Sequence, residues 1–356
     1  MDDDPPQLID QKLSDQRLID QAILCDWMDS QHLESGPIIS PRILGGGTQN
    51  ILMAFQRGER DFVLRRPPPH LRANSNETMR REARVLSALK GSDVPHPELI
   101  SSCPDEKVLG ASFYLMEPID GFNATTGLPS FHAGDPIVRK QMGLSLVEGI
   151  ASLGAIDYKA VGLTDFGKPE GFLSRQVPRW QSQLTSYEEI PEWPGSSQIE
   201  GIDTVASWLE SHCPQQFEAG IIHGDYHLAN VMFHYDTPYL AAIVDWELTT
   251  IGDPLIDLGW LIATWPDARA GATLTSSVSP WDGFPSINAL VEHYAKFSKR
   301  DLTNINWYGV LACFKLGIIL EGTYARACAG KAPKETGDKL HATTINLFNR
   351  ALHLIN

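Results

Sequence analysis

The chain has 356 residues, enough for two lobes with a substantial core, and its 42% hydrophobic and 21% charged content is that of a globular protein rather than a disordered one. Lys and Arg total 29 against 44 Asp and Glu, so a net charge of -15 repels polyanions and argues against a nucleic-acid scaffold; a small anionic ligand, met by local charge, stays open. Five scattered cysteines (Cys25, Cys103, Cys213, Cys313, Cys328) form no Cys-x-x-Cys pair, which fits a reducing compartment and thiols that pack as small apolar groups.

The start, Met1-Asp2-Asp3-Asp4-Pro5-Pro6, has neither a basic region nor an apolar core and is unlike a secretory signal. A leading helix is expected ahead of the first strand. Between residues 37 and 116, short β-like runs at 37–44, 51–56, 61–66 and 112–116 are broken by turn residues, with a helical segment at 77–90 among them. Beyond residue 133 the periodicity is mostly helical: 137–156, 172–187, 202–212, 285–299, 306–329 and 339–354. Strand-like exceptions lie at 230–234 and 240–244, and 188–198, rich in Glu, Pro, Gly and Ser, reads as a surface loop. The longest apolar stretches, about 311–320 and 258–265, are too short to cross a bilayer and the first contains Lys315, so no membrane partner and a cytoplasmic location are expected. No 20–50-residue period repeats. The pattern predicts an α+β chain: a small β-rich N-terminal lobe over 1–117, a hinge at 118–122 and a larger, mostly helical lobe over 123–356.

The stretch His223-Gly224-Asp225-Tyr226-His227-Leu228-Ala229-Asn230, followed by Ile243-Val244-Asp245-Trp246-Glu247, carries the strongest chemical signal. Asp225 is placed to accept a proton, and the side-chain oxygens of Asn230 and Asp245 suit a hard cation carried by a nucleotide. The alternating His223, Asp225 and His227 offer a rival reading as a transition-metal site for hydrolysis, against which Asn230 is a poor zinc ligand; His223 alone reads as a brace bonding to backbone. Upstream, Gly45-Gly46-Gly47-Thr48-Gln49-Asn50 between two strands either cradles phosphate with backbone N–H groups or is a plain hairpin turn. Arg65, at the end of Phe62-Val63-Leu64-Arg65-Arg66, faces away from Leu64 by strand alternation; it is either a phosphate contact or a solvated strand end. Glu82 lies beside the apolar positions Val85, Leu86 and Leu89 of its helix and pairs either with Arg65 or with its neighbours Arg81 and Arg84.

Taken together in this order and spacing, the glycine stretch, Val63-Leu64-Arg65-Arg66, Glu82, Tyr114-Leu115-Met116-Glu117, the 223–230 motif and Ile243-Val244-Asp245-Trp246 resemble the aminoglycoside phosphotransferase family, whose fold is protein-kinase-like and bilobal. Within it, the runs from Phe62 to Pro68, Ala155 to Leu163 and Gly252 to Trp260 resemble the kinase-like portion of acyl-CoA dehydrogenase family members 10 and 11. The resemblance implies an enzyme using ATP and Mg2+ to phosphorylate a small-molecule hydroxyl. Asp225 then matches the catalytic Asp, Asn230 and Asp245 the magnesium ligands, and Gly46, Gly47 and Thr48 the phosphate loop. Arg65 stands where a phosphate-binding Lys is usual, a departure that keeps the charge, with Glu82 as its helical partner. Met116, Glu117 and Ile119 match the hinge whose backbone meets adenine. The implied acceptor is a hydroxyacyl-CoA or related hydroxy acid, with an aminoglycoside or choline-like amino alcohol as the alternative. A metal-dependent hydrolase and a catalytically silent nucleotide-binding module are the readings from other classes. Trp246, Glu247, Asp253, Asp257 and Trp260 follow the second Asp and shape the acceptor side, unless, for Asp257 and Trp260, they simply pin a core helix.

Overall fold

Alternating apolar side chains build the first part of the chain, and the computed structural model describes residues 19–45, 50–266 and 277–356. The chain divides into two compact units, one of Met1–Ser92, His96–Asp120 and Asp245–Glu247, the other of Asp93–Pro95, Gly121–Val244 and Leu248–Asn356. The first holds a five-stranded sheet with helices and the second is mostly helical, an α+β architecture.

In the first unit, helix α1 (Gln21–Ser30) begins at Asp20, whose Oδ1 accepts from the N–H groups of Ala22 (3.0 Å) and Ile23 (3.1 Å), satisfying donors that a helix start leaves open. Strands β1 (Ile39–Ile43), β2 (Ile51–Arg57) and β3 (Arg60–Arg66), helix α2 (Ser75–Leu89), and strands β4 (Leu99–Cys103) and β5 (Phe113–Met116) follow. The strands form one antiparallel sheet in the order β1-β2-β3-β5-β4. Strand β4 is not among the predicted strands, because Leu-Ile-Ser-Ser-Cys has no clean alternation; pairing with β5 makes it one. The turn between β2 and β3 needs Gly58, whose φ is 59°.

Strand pleat then sorts side chains between two faces. Phe62 and Leu64 join Met53, Phe55, Leu115 and the Leu24 and Met28 side chains of α1 in one buried cluster. Arg65, next after Leu64 and so on the other face, turns instead toward Glu82 of α2. Buried Arg57 ties α1 to the sheet through the carbonyls of Gly36 (2.9 Å) and Cys25 (3.2 Å) and the Asp29 carboxylate (2.6 Å).

The second unit contains helices α3 (Pro136–Ala155), α4 (Gln176–Thr185) and α5 (Ile202–Ser211), and two small two-stranded sheets. Strands β6 (Gly220–Ile222) and β9 (Thr250–Gly252) pair antiparallel, as do β7 (Val231–Phe233) and β8 (Leu240–Ile243). Helices α6 (Leu255–Thr264), α7 (Ile287–Phe297), α8 (Ile305–Cys328) and α9 (Lys334–Ile355) complete it. Helix α8 is apolar nearly all round because it is central. Its 24 residues are by length and composition sufficient to cross a bilayer, which corrects the shorter apolar run read from sequence, yet 78% of its most apolar window is buried inside the protein. Lys315 and Glu321 break the hydropathy run without breaking the helix. A Cβ at Gly259 would come within 2.5 Å of the Tyr308 backbone, so α6 and α8 meet at backbone distance. Residues 188–198 are mostly exposed, as a surface loop, but Trp193 is buried and its indole donates to the buried Glu321 carboxylate (2.8 Å), anchoring the segment to α8.

Candidate active site

The loop from His223 to Asn230 connects β6 to β7 and is fixed by polar groups of several other elements together with its own side chains. At its start Gly224 has φ of 90°, and a Cβ there would lie 2.6 Å from the Leu248 carbonyl oxygen, so the turn requires glycine. The carboxylate of Asp257, in the first turn of α6, accepts from the backbone N–H of His223 (2.7 Å) and of Gly224 (2.8 Å). Burial pushes the Asp257 carboxyl up to about 7, against those two amide bonds and the charge of Lys315. At the loop's other end Asn123 Nδ2 donates to the carbonyls of Ala229 (2.7 Å) and Val231 (3.0 Å). The Tyr226 hydroxyl donates to the Leu146 carbonyl (2.8 Å), anchoring the middle.

This bracing fixes the Asp225 carboxylate. Its Oδ1 accepts from the Trp260 indole N–H (2.8 Å) and lies 3.3 Å from His227 Nε2, while its Oδ2 accepts from Asn230 Nδ2 (2.9 Å). Burial alone would raise its pKa; the bond and charge of His227, then the charges of His223 and Lys315, outweigh that and hold it near about 2. Asp225 is therefore an anion across the physiological range. Because Asn230 turns its amide nitrogen to Asp225, its Oδ1 is the atom left for another partner.

The two histidines serve the loop. His223 Nδ1 accepts from the Asp225 N–H (3.3 Å), which puts the ring proton on Nε2, donating to the Val244 carbonyl (2.9 Å). With both nitrogens committed to backbone, His223 is not a metal ligand, and the hydrolase reading loses its first residue. Among the described residues no group of three or more His, Cys, Asp or Glu forms a metal-binding cluster. His227 Nδ1 accepts from the Ala229 N–H (3.1 Å), leaving Nε2–H directed to Asp225.

The other charged cluster belongs to the first unit. Arg65 Nη2 donates to Asp245 Oδ1 (2.8 Å) and to Glu82 Oε1 (3.3 Å), and Arg65 Nε lies 2.9 Å from Glu82 Oε2. Of the two partners open to Glu82 the structure brings Arg65, and Arg65 is buried rather than a solvated strand end. The Tyr114 hydroxyl also donates to Glu82 Oε2 (2.8 Å). Burial pushes the Glu82 carboxyl up, to about 7, opposed by Arg65 and Tyr114. Arg65 moves the other way: burial disfavours its charge, but Glu82, Tyr114 and Asp245 together raise its pKa above the ordinary value. Asp245 sits at φ of 68°, a left-handed conformation uncommon outside glycine and concentrated at functional positions.

The remaining expected residues fare differently. Gly46, Gly47 and Thr48 lie outside the described residues. The Glu117 N–H donates to the Glu98 carbonyl (2.9 Å), which leaves its carbonyl as the backbone group for a hinge contact, and its carboxylate pairs with Arg60; Ile119 follows, half-buried. Asp257 and Trp260, read either as shaping the acceptor side or as pinning a core helix, and Lys315, read only as a charge in an apolar run, have a part in the site. Asp257 and Trp260 share a helix face at i and i+3, and Lys315 of α8 donates to the Gly224 carbonyl (3.2 Å) with its ammonium 4.3 Å from the Trp260 ring centre. The Asp257-x-x-Trp260 spacing directly after a strand is the one sequence signal that points to them.

Comparison with known proteins gives the family and the fold. The profile of the phosphotransferase enzyme family matches residues 40–278. Acyl-CoA dehydrogenase family member 11 of Rattus norvegicus is 30% identical over 87% of this chain, which spans 40% of that relative's length. A solved aminoglycoside phosphotransferase-like protein of Ralstonia eutropha superposes with a TM-score of 0.77 and 30% identity, covering 94% of this chain and 99% of its own. An aminoglycoside phosphotransferase solved with GDP and kanamycin has a TM-score of 0.60 at 14% identity, over 92% of this chain and 97% of that one, and shares the fold.

Proposed function

The chain belongs to the phosphotransferase enzyme family, and on that footing we propose that it transfers the γ-phosphoryl group of ATP, with Mg2+, to a hydroxyl of a small acyl compound, a hydroxyacyl-CoA or related hydroxy acid. The observation that carries this reading is the Asp225 carboxylate, kept anionic and aimed by Trp260, His227 and Asn230. Family membership supports the reaction class, the GDP complex of a relative in fold supports a nucleotide donor, and the similarity to acyl-CoA dehydrogenase family member 11 supports an acyl-type acceptor.

In the transfer, the acceptor oxygen bonds to the γ-phosphorus as the bond to the β,γ-bridging oxygen breaks; the hydroxyl proton goes to Asp225 and ADP leaves. A carboxylate with a pKa near 2 is a weak base, so its first task is to orient the hydroxyl, taking the proton late in a loose transition state. Asn230 Oδ1 and the Asp245 carboxylate are hard oxygen donors that fit Mg2+. Magnesium, when bound, neutralises charge on the nucleotide phosphates. Arg65, held by Glu82, is the cationic group of the first unit assigned to phosphate oxygens, with a planar fork in place of a lysine's point charge.

The test measures ADP release from hydroxyacyl-CoAs, free hydroxy acids, choline and kanamycin, with Mg2+ and after its chelation. Transfer to a hydroxyacyl acceptor that needs Mg2+ and vanishes in Asp225→Asn, with ATP binding retained, is the expected result. Unchanged turnover in that variant overturns the assignment, and ATP binding without transfer to any acceptor indicates a silent nucleotide-binding module.

A further inference from the structure

Behind the 223–230 loop, entirely within the second unit, lies a cavity of about 240 Å³ whose walls come from α4, α6, α8 and the β6–β9 pair. Its lining is largely hydrocarbon and aromatic, including Phe172, Trp180, Leu248, Ile256, Trp260 and Leu311. The charged groups in that lining are Arg179 and Lys315, with no Asp or Glu among them. The Lys315 ammonium rests 4.3 Å from the Trp260 ring centre and 5.7 Å from that of Trp180, and the Arg179 guanidinium 5.3 Å from that of Trp180. Among the described residues neither cation has a carboxylate at ion-pair distance; Lys315 has the Gly224 carbonyl and the aromatic faces, with the charges of Asp225 and Asp257 acting on it through space. The buried indole N–H of Trp180 likewise has no acceptor among the described residues. An apolar chamber with two cations and a spare donor is suited to a molecule that brings hydrocarbon and negatively charged or carbonyl oxygen together. It is unsuited to a cationic guest, which would meet two like charges.

Position connects the cavity to the chemistry. Gly224 and Trp260 both line it; Gly224 precedes Asp225, and the Trp260 indole donates to the Asp225 carboxylate. We infer that this cavity is the acceptor subsite, that it takes the acyl chain of a hydroxylated carboxylic acid or its thioester, and that Lys315 and Arg179 are the specificity-determining residues that admit oxyanionic acceptors and reject amino alcohols and aminoglycosides. The inference rests on the phosphotransferase reading given above. The chamber holds roughly eight carbon-sized groups if each takes ~30 Å³, the share of a small molecule such as water in its liquid.

The test pairs a binding and a transfer measurement on the full chain. Titration calorimetry with decanoate, which has no hydroxyl to phosphorylate, reads the cavity alone. ADP release with 3-hydroxy acids of four to twelve carbons, choline and kanamycin reads the reaction. We expect decanoate to bind, choline and kanamycin to be poor acceptors, and turnover to peak near eight carbons. Lys315→Met and Arg179→Glu should each weaken decanoate binding and raise the hydroxy-acid KM about tenfold, with the KM for ATP unchanged. Arg179 is exposed, so its variant keeps the test valid if Lys315→Met fails to fold. Ile319→Trp, a partly exposed lining position, should shift the optimum to shorter chains. Transfer with unaltered acceptor KM in these variants, or a preference for choline or kanamycin, overturns the subsite and leaves the kinase reading standing. Lys315-dependent decanoate binding without transfer to any acceptor does the reverse.

Discussion

Around Arg65 one guanidinium is shared by two carboxylates, Glu82 and Asp245, whereas around Asp225 one carboxylate is held by the Trp260 indole, the Asn230 amide and the His227 imidazole, and Lys315 acts on it only through space. In the first cluster each charge justifies burial of the others, so removing one leaves an uncompensated ion. In the second, the shape of the loop comes from backbone bonds to Asp257 and Asn123, independent of the charge on Asp225. The contrast separates residues whose loss damages the fold from residues whose loss damages the chemistry.

Asp225→Asn is the sharpest way to test that separation. The amide keeps the size of the side chain and loses the anion. Turnover should fall about 10²–10⁴-fold, the usual contribution of a positioned acid–base group, while the urea midpoint moves little. A large loss of stability would mean that the loop depends on this charge after all.

Arg65→Met should do the opposite. It strands Glu82, 1% exposed, without its cation, and should cost about 3–5 kcal/mol in denaturant unfolding, as removal of one partner of a buried pair does. Adding Glu82→Met should recover much of that loss. If the double variant is no more stable than the single one, the two side chains are not coupled and the comparison fails at its first term.

Trp260→Phe probes the other term with a smaller expected change. The ring remains in α6 but its N–H no longer donates to Asp225, a charge-assisted bond of about 1.5–3 kcal/mol, or roughly tenfold to a hundredfold in kcat/KM. Losing that donor also moves the Asp225 pKa upward, so the acid limb of the pH–rate profile should shift to higher pH. A purely structural role for Trp260 would lower stability and leave that limb in place.

Much of this arrangement was legible in the sequence, unevenly and for physical reasons. Strand alternation alone places Arg65 opposite Leu64, because the pleat has a period of two and Phe62 and Leu64 have a core to enter. The brace role of His223 was equally readable, since a short loop consumes the hydrogen-bonding capacity of its own side chains. What the sequence hid are bonds that join distant elements. Nothing near Trp260 in the chain announces that its indole reaches back 35 residues to Asp225, nor that Lys315, 91 residues beyond Gly224, would donate to its carbonyl. Strands β4, β6 and β9 escaped for a related reason: they are three to five residues long and owe their extension to a partner strand rather than to their own pattern.

The smallest expected effect concerns Lys315 and its protonation. Burial lowers its pKa to about 8, opposed by the charges of Asp225 and Asp257, with Arg179 adding to the lowering. A lysine is cationic below its pKa, so at neutral pH it offers the cavity an ammonium, and above about 8 it offers a neutral amine. The KM for a hydroxy-acid acceptor should therefore rise several-fold between pH 7 and 9, while the KM for choline, whose charge is fixed, should not rise with it. In Lys315→Arg the guanidinium stays charged throughout, and the acceptor KM should be flat over the same range. A rise that persists in that variant would have to come from another group and would remove Lys315 from acceptor recognition, leaving its bond to Gly224 as its role at the loop.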